Sequence, residues 1–362
     1  MKPTKDLAEP VSEATPDASA PEAFGYRTAK GEWRPPYPVK YAPIFCWPPR
    51  PREVAKWVAS YPGYLWPWNV IYVLITVVTW FYFQPALERC VNFQLDWIGQ
   101  MFLRNMVLIW IIYGGWHVLL FKFQGEKRRY DPRPFRKGGK TFLFGNQVYD
   151  NIFWTCVSGC TVWTAYEVLM IWAYANNMLP YVSWEEHPIY CVLWLCLIPF
   201  WREFHFYWVH RLTHWKPLYK YVHYLHHKNV NVGPWSGLAM HPVEHILYFS
   251  VVLIHWIIPS HPLHMLFNAQ HTALTPASGH SGYEGPVLHG KVPTGSYFHY
   301  LHHRYFECNY GESTLPFDRM FGTFRDGMSE KEDQPALAGT ISLKDIAPKP
   351  EEPLEPTESP AK

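Results

Sequence analysis

Four apolar stretches, each about as long as the roughly 20 residues a helix needs to cross a bilayer, lie close together in this chain. They occupy residues 66–86, 101–121, 151–175 and 188–207. So many such runs in so short a segment exceed what the buried helices of a soluble fold require, so the spacing predicts a multi-pass, all-α integral membrane protein with about four transmembrane helices. The spans are expected to hold no Lys or Arg well inside. Glu167 is their one deep acid and needs a partner or a bundle-facing position. An aromatic share of 18%, with 19 Trp and 24 Tyr, fits rings gathered at membrane–water interfaces.

Charge then orients the spans. Lys122, Lys127, Arg128, Arg129, Arg133, Arg136, Lys137 and Lys140 follow the second span, while the loop after the third carries Glu185 and Glu186 and no base. The positive-inside rule puts the N-terminus, the basic loop and the end of the fourth span on the cytoplasmic side. A fifth apolar region, 244–274, is interrupted by Pro259 and Pro262, which predicts two half-length helices that enter and return on one face. The net charge of +2 argues against a nucleic-acid partner. Seven scattered Cys with no Cys-x-x-Cys pair argue against a disulfide framework or a thiolate zinc site. The expected organisation is a disordered, Pro-rich N-terminal segment (1–54), a first transmembrane hairpin with its basic loop (55–145), a catalytic domain (146–326) and a disordered tail (327–362).

Seventeen of the 19 His lie between His205 and His303, many more than an even spread would place there. Their spacing is helical. His210 and His214 are four apart, so both rings stack on one helix face. His223, His226 and His227 form His-x-x-His-His, as do His299, His302 and His303. In those clusters the i and i+3 imidazoles are expected to share one metal and the adjacent His to serve a second. His241 and His245 repeat the i, i+4 spacing, and His280 stands alone before the last cluster. So many imidazoles exceed the four ligands of one zinc ion and fit two metal ions. Imidazole suits Fe, Zn, Cu and Ni alike, so ligand type does not name the metal. His117, His187, His255, His261, His264, His271 and His289 stand outside the clusters and are read as structural, with His205 and His245 undecided.

At these residues the chain resembles the fatty acid hydroxylase/sterol desaturase superfamily, whose members carry three histidine boxes after transmembrane helices. HRLTH (His210, His214), HYLHH (His223, His226, His227) and HYLHH (His299, His302, His303) match in order and spacing, over a likeness that covers about 145–325. His-Pro-Val-Glu at 241–244, His280, Asn-Tyr-Gly at 309–311 and the 317–324 segment also match family elements. The resemblance implies a cytoplasmic centre of two iron ions, with zinc a possible substitute, held by His210, His214, His223, His226, His227, His241, His280, His299, His302 and His303. It implies O₂-dependent hydroxylation or desaturation of a lipid of sterol or fatty-acyl type. Electrons would come from a separate b-type cytochrome, or from a ferredoxin with its reductase, because no His-Pro-Gly-Gly haem motif occurs. Glu203 and Glu244 are expected to fix imidazole tautomers. Two other classes are a histidine-rich membrane metal transporter and a membrane protein with structural zinc. A transporter would want ligands at mid-membrane depth, whereas these clusters follow the last span.

Overall fold

The computed structural model describes residues 25–27, 31–123, 128–288 and 291–328. The tails expected to be loose, 1 to about 30 and beyond about 327, fall almost wholly outside the described residues, as does His289.

The described chain is mostly helical. A single two-stranded ribbon pairs β1 (Tyr26–Arg27) with β2 (Trp33–Arg34). After a short surface helix, α1 (Pro51–Ala59), come four helices long and apolar enough to span a membrane: α2 (Leu65–Tyr82), α3 (Leu95–Phe123), α4 (Gln147–Ala175) and α5 (Pro188–Thr213). Their outward faces leave Leu74, Val78, Phe81, Leu103, Ile111, Val192 and Leu197 exposed. Continuous apolar surface of that kind is stable against lipid and not against water.

Arg104 and Arg202 lie well inside these helices, contrary to expectation, because each has a carboxylate. Buried Arg104 of α3 pairs with Glu167 of α4, whose carboxylate also accepts from Asn105 Nδ2 (2.9 Å) and Trp163 Nε1 (2.7 Å). Glu167 thus has both the partner and the bundle-facing position it needs. Arg202 of α5 pairs with Glu312 at 2.5 Å.

The fifth apolar region forms two helical segments joined by a turn, but they are not half-length in reach: the turn meets the α4–α5 connection, at the ends of those spans away from the histidines. α6 (Tyr224–His227) leads by a loop to α7 (Pro242–Phe249), a 3₁₀ stretch (Ser250–Trp256), a turn and α8 (Pro262–Leu274). All thirteen residues of α8 are buried, so it is the axis around which the spans pack. The turn before it is pinned to the α4–α5 connection by Ser260 N–H to Pro180 O (3.0 Å) and Tyr190 Oη to Pro259 O (2.7 Å). Both ends of the pair therefore return to the side that holds the histidines.

The Pro-rich segment lies across this histidine-bearing cap. Trp33, Val39 and Ala42 donate backbone N–H to Tyr130, Asp326 and Ser313 carbonyls at 2.9–3.1 Å. An extended chain cannot satisfy its own amides, so it borrows acceptors from the surface it crosses. The last elements are α9 (Tyr297–Tyr305) and the one-turn α10 (Phe317–Met320).

Candidate metal centre

Three elements and one loop converge. The last turn of α5 supplies His210, and its C-cap is His214. A widened turn at Tyr219–His223 running into α6 supplies His223, His226 and His227. α9 supplies His299, His302 and His303, and the turn after α8 supplies His280. The nine imidazoles fall into two groups, each with its ligand atoms within 4.8 Å of one another: His210, His214, His223, His227 and His302, and His226, His280, His299 and His303.

The division differs from the expected one. His223 pairs with His227, and His299 with His303, while His226 and His302 cross to the other group. At about 100° per residue, positions i and i+4 are only about 40° apart around a helix and i and i+3 about 60°. The i, i+4 pair therefore converges better on one point, and the middle histidine of each box turns to the second. His241 joins neither group. Its Nδ1 accepts from Val243 N–H at 3.2 Å, so it caps α7. His205 bonds Ser250 Oγ (2.9 Å), and His245 lies between Ser158 Oγ (2.9 Å) and Leu238 O (3.1 Å).

The distances test whether a metal fits. His214 Nε2 lies 3.1 Å from His223 Nε2 and 3.2 Å from those of His227 and His302, while His227 and His302 are 3.0 Å apart. In the second group His280 Nε2 lies 2.9, 3.0 and 3.3 Å from the Nε2 atoms of His299, His303 and His226. A metal–nitrogen bond of about 2.0–2.1 Å places neighbouring nitrogens about 3.0 Å apart at a right angle and about 3.4 Å apart at the tetrahedral angle. Both groups have those edges.

Tautomers strengthen the case. His210 Nδ1 donates to Tyr310 O (2.6 Å), His302 Nδ1 to Cys308 O (2.6 Å), His280 Nδ1 to Pro276 O (3.0 Å) and His223 Nδ1 to Glu244 Oε1 (2.7 Å). A neutral imidazole carries one proton, so the Nε2 atoms of these rings present lone pairs to one another. Such an arrangement is repulsive unless a cation sits among them. Burial keeps the rings neutral: it pushes His223 down to about 3 and His280 to about 4, and His214, His226, His227, His299, His302 and His303 well below the usual imidazole range.

Of the two expected orienting acids, Glu244 fills that role and Glu203 does not. Glu203 Oε1 accepts backbone N–H from Thr314 (3.1 Å) and Leu315 (2.7 Å), and so holds the loop that returns to α5. The sequence gives no signal for the carbonyls of Pro276, Cys308 and Tyr310. Nor does it single out Asp318, which accepts from Tyr310 N–H (2.9 Å) and Gly311 N–H (2.8 Å) and so aims the Tyr310 carbonyl at His210.

Residues 195–323, which hold all nine imidazoles, match the family model "Fatty acid hydroxylase". This segment belongs to the fatty acid hydroxylase/sterol desaturase superfamily. The superfamily's three boxes account for eight of the nine imidazoles, and His280 is the ninth. The chain is 36% identical over 156 residues to a Delta(7)-sterol-C5(6)-desaturase of Nicotiana tabacum, covering 41% of this chain and 54% of that protein. It is 32% identical over 158 residues to a Delta(7)-sterol 5(6)-desaturase of Gibberella zeae, covering 42% and 48%. A Delta(7)-sterol 5(6)-desaturase of Candida glabrata is 31% identical over 148 residues, covering 40% of each chain. The chain thus spans about half the length of the curated relatives it matches. No solved structure matches it.

Proposed function

We propose that this protein is a membrane-bound di-iron oxygenase that hydroxylates or desaturates a lipid, with a sterol the favoured substrate. The observation that carries the reading is the 5 + 4 division of nine neutral imidazoles, eight buried and His214 half-buried, whose Nε2 atoms stand at ligand-to-ligand distances. Two ions held by nitrogen alone beside an apolar helical bundle suit O₂ activation against an unactivated C–H bond, chemistry that bound iron would supply. His210, His214, His223, His227 and His302 would hold one ion, and His226, His280, His299 and His303 the other. Zinc could take the same sites without that reactivity. The chain's part is to keep the nitrogens deprotonated, fix the tautomers through Glu244 and the three carbonyls, and exclude water.

The sterol preference rests on relatives whose names specify desaturation at sterol C5(6). Residues 146–326 form the working unit, with the histidines on the cytoplasmic face, as the basic loop before it supports. Electrons come from a separate b-type cytochrome, or from a ferredoxin with its reductase.

The test is metal analysis of the purified protein together with O₂ uptake and sterol profiling in a host lacking its own sterol C5 desaturase. Two irons per chain, substrate-dependent O₂ uptake and a new sterol double bond or hydroxyl are expected. Two zinc ions with no O₂ uptake would establish the structural-zinc alternative, and metal flux across vesicles the transporter.

A further inference from the structure

α9 carries its ligands on one side and tyrosines on another. Tyr297 and Tyr300 turn away from the metal groups into a separate buried cluster with Trp33 and Tyr130. The Tyr130 ring stacks on Tyr300 at 4.5 Å between centroids and lies 5.5 Å from Tyr297 and 6.1 Å from Trp33. Tyr300 is adjacent in the chain to the ligand His299 and two residues before the ligand His302. On the outer side Tyr37 is 52% exposed and within electrostatic reach of Tyr130 and Glu284. Trp33, Tyr130, Tyr297 and Tyr300 therefore form a buried ring cluster beside the ligand helix, with exposed Tyr37 toward its outer side.

Tyr130 itself is 1% exposed, and its hydroxyl donates to Glu284 Oε2. The pair is held in register by Tyr130 N–H to Gly282 O (2.9 Å) and Glu284 N–H to Arg128 O (3.2 Å). A backbone carbonyl or an amide would satisfy a buried hydroxyl at lower cost than a carboxylate, which must be desolvated. Burial pushes Glu284 up to about 7, so near neutral pH it is poised between taking and releasing a proton.

We propose that Tyr130 and Glu284 form a redox-active, proton-coupled pair that carries single electrons between the protein surface and the metal centre. The proposal rests on the oxygenase reading. One electron leaves the Tyr130 ring by way of Tyr300 and reduces the oxidised centre by one equivalent. The phenolic proton passes along the existing hydrogen bond to the Glu284 carboxylate, leaving a neutral tyrosyl radical. The external electron donor that the reaction already needs returns one electron from the side of exposed Tyr37, and the proton returns from Glu284 to the phenol. The sum is one electron moved from donor to centre. In the absence of substrate the same route removes oxidising equivalents that would otherwise attack the histidine ligands.

The test has two arms on the full-length protein in detergent. In the first, the metal-loaded protein is reduced, exposed to O₂ without substrate, frozen and examined by electron paramagnetic resonance. The expected result is a tyrosyl signal that narrows when ring-deuterated tyrosine is incorporated and disappears in Tyr130→Phe, which keeps the stacked ring. In the second, the metal-free protein is oxidised by a photo-excited ruthenium polypyridyl complex with persulfate. The same signal is expected, lost in Tyr130→Phe and altered in Glu284→Gln. O₂ uptake with no tyrosyl signal, or a signal unchanged in Tyr130→Phe, would overturn the proposal. If the first arm shows no O₂ uptake the oxygenase reading fails, and the second arm still decides whether Tyr130 is the preferred site of oxidation.

Discussion

Replacing Glu244 by Gln isolates what one buried charge contributes to one metal group. Glu244 is buried and its Oε1 accepts the His223 Nδ1 proton at 2.7 Å. Gln keeps the size and an acceptor oxygen but removes the charge. A hydrogen bond to a charged group contributes about 1.5–3 kcal/mol against about 1 kcal/mol for a neutral one, so the loss is about 0.5–2 kcal/mol. At about 1.4 kcal/mol per factor of ten, metal affinity at that group falls about 2- to 30-fold, overlapping the lower part of the roughly 10–100-fold range for partners behind ligating histidines. Glu244→Ala also strands the buried His223 Nδ1–H and should lower affinity about 100-fold. Glu244 touches only a ligand of the five-histidine group, so the four-histidine group keeps its ion. The assay is competition with a graded series of chelators, read as metal per chain. The expected Glu244→Ala result is loss of one ion at a chelator strength that leaves the other in place. Equal affinity to wild type, or simultaneous loss of both ions, would refute the argument.

Three further outcomes follow from the same geometry. His226→Ala should remove the ion of the four-histidine group and abolish turnover, whereas His241→Ala should leave both ions bound and cost about 1 kcal/mol through the lost cap, read by metal analysis and thermal melting. Glu167→Leu strands Arg104 and should destabilise the bundle by about 3–5 kcal/mol, much of it recovered in the double replacement with Arg104→Met, measured as melting in detergent. In the metal-free protein, His280 titrates at about 4 and His223 at about 3 when folded, below the ordinary imidazole value that applies to the unfolded chain. The unfolded chain therefore binds more protons as pH falls from about 6.5 toward 4, so the metal-free protein should lose stability across that window, while bound metal flattens the dependence in a melting series.

The sequence by itself determined the parts. Runs of apolar residues need only length to span a bilayer, so the four helices were legible, as was the broken pair around Pro259 and Pro262. Eight imidazoles were legible because three- and four-residue spacings describe one helix face without reference to anything opposite. What lies opposite is a long-range matter, and there the tertiary structure decided. It split each His-x-x-His-His box between two imidazole groups and set His280, which the family resemblance had implied as a ligand, into the second of them from the turn after α8. It turned His241 into a helix cap, gave Glu244 to His223, and spent Glu203 on the 314–315 backbone. It placed Arg104 beside Glu167, although the two are 63 residues apart in the chain. Local spacing fixes the direction in which a side chain leaves its helix, but a metal site or a buried ion pair also needs the partner's position, which only the packing of distant segments sets.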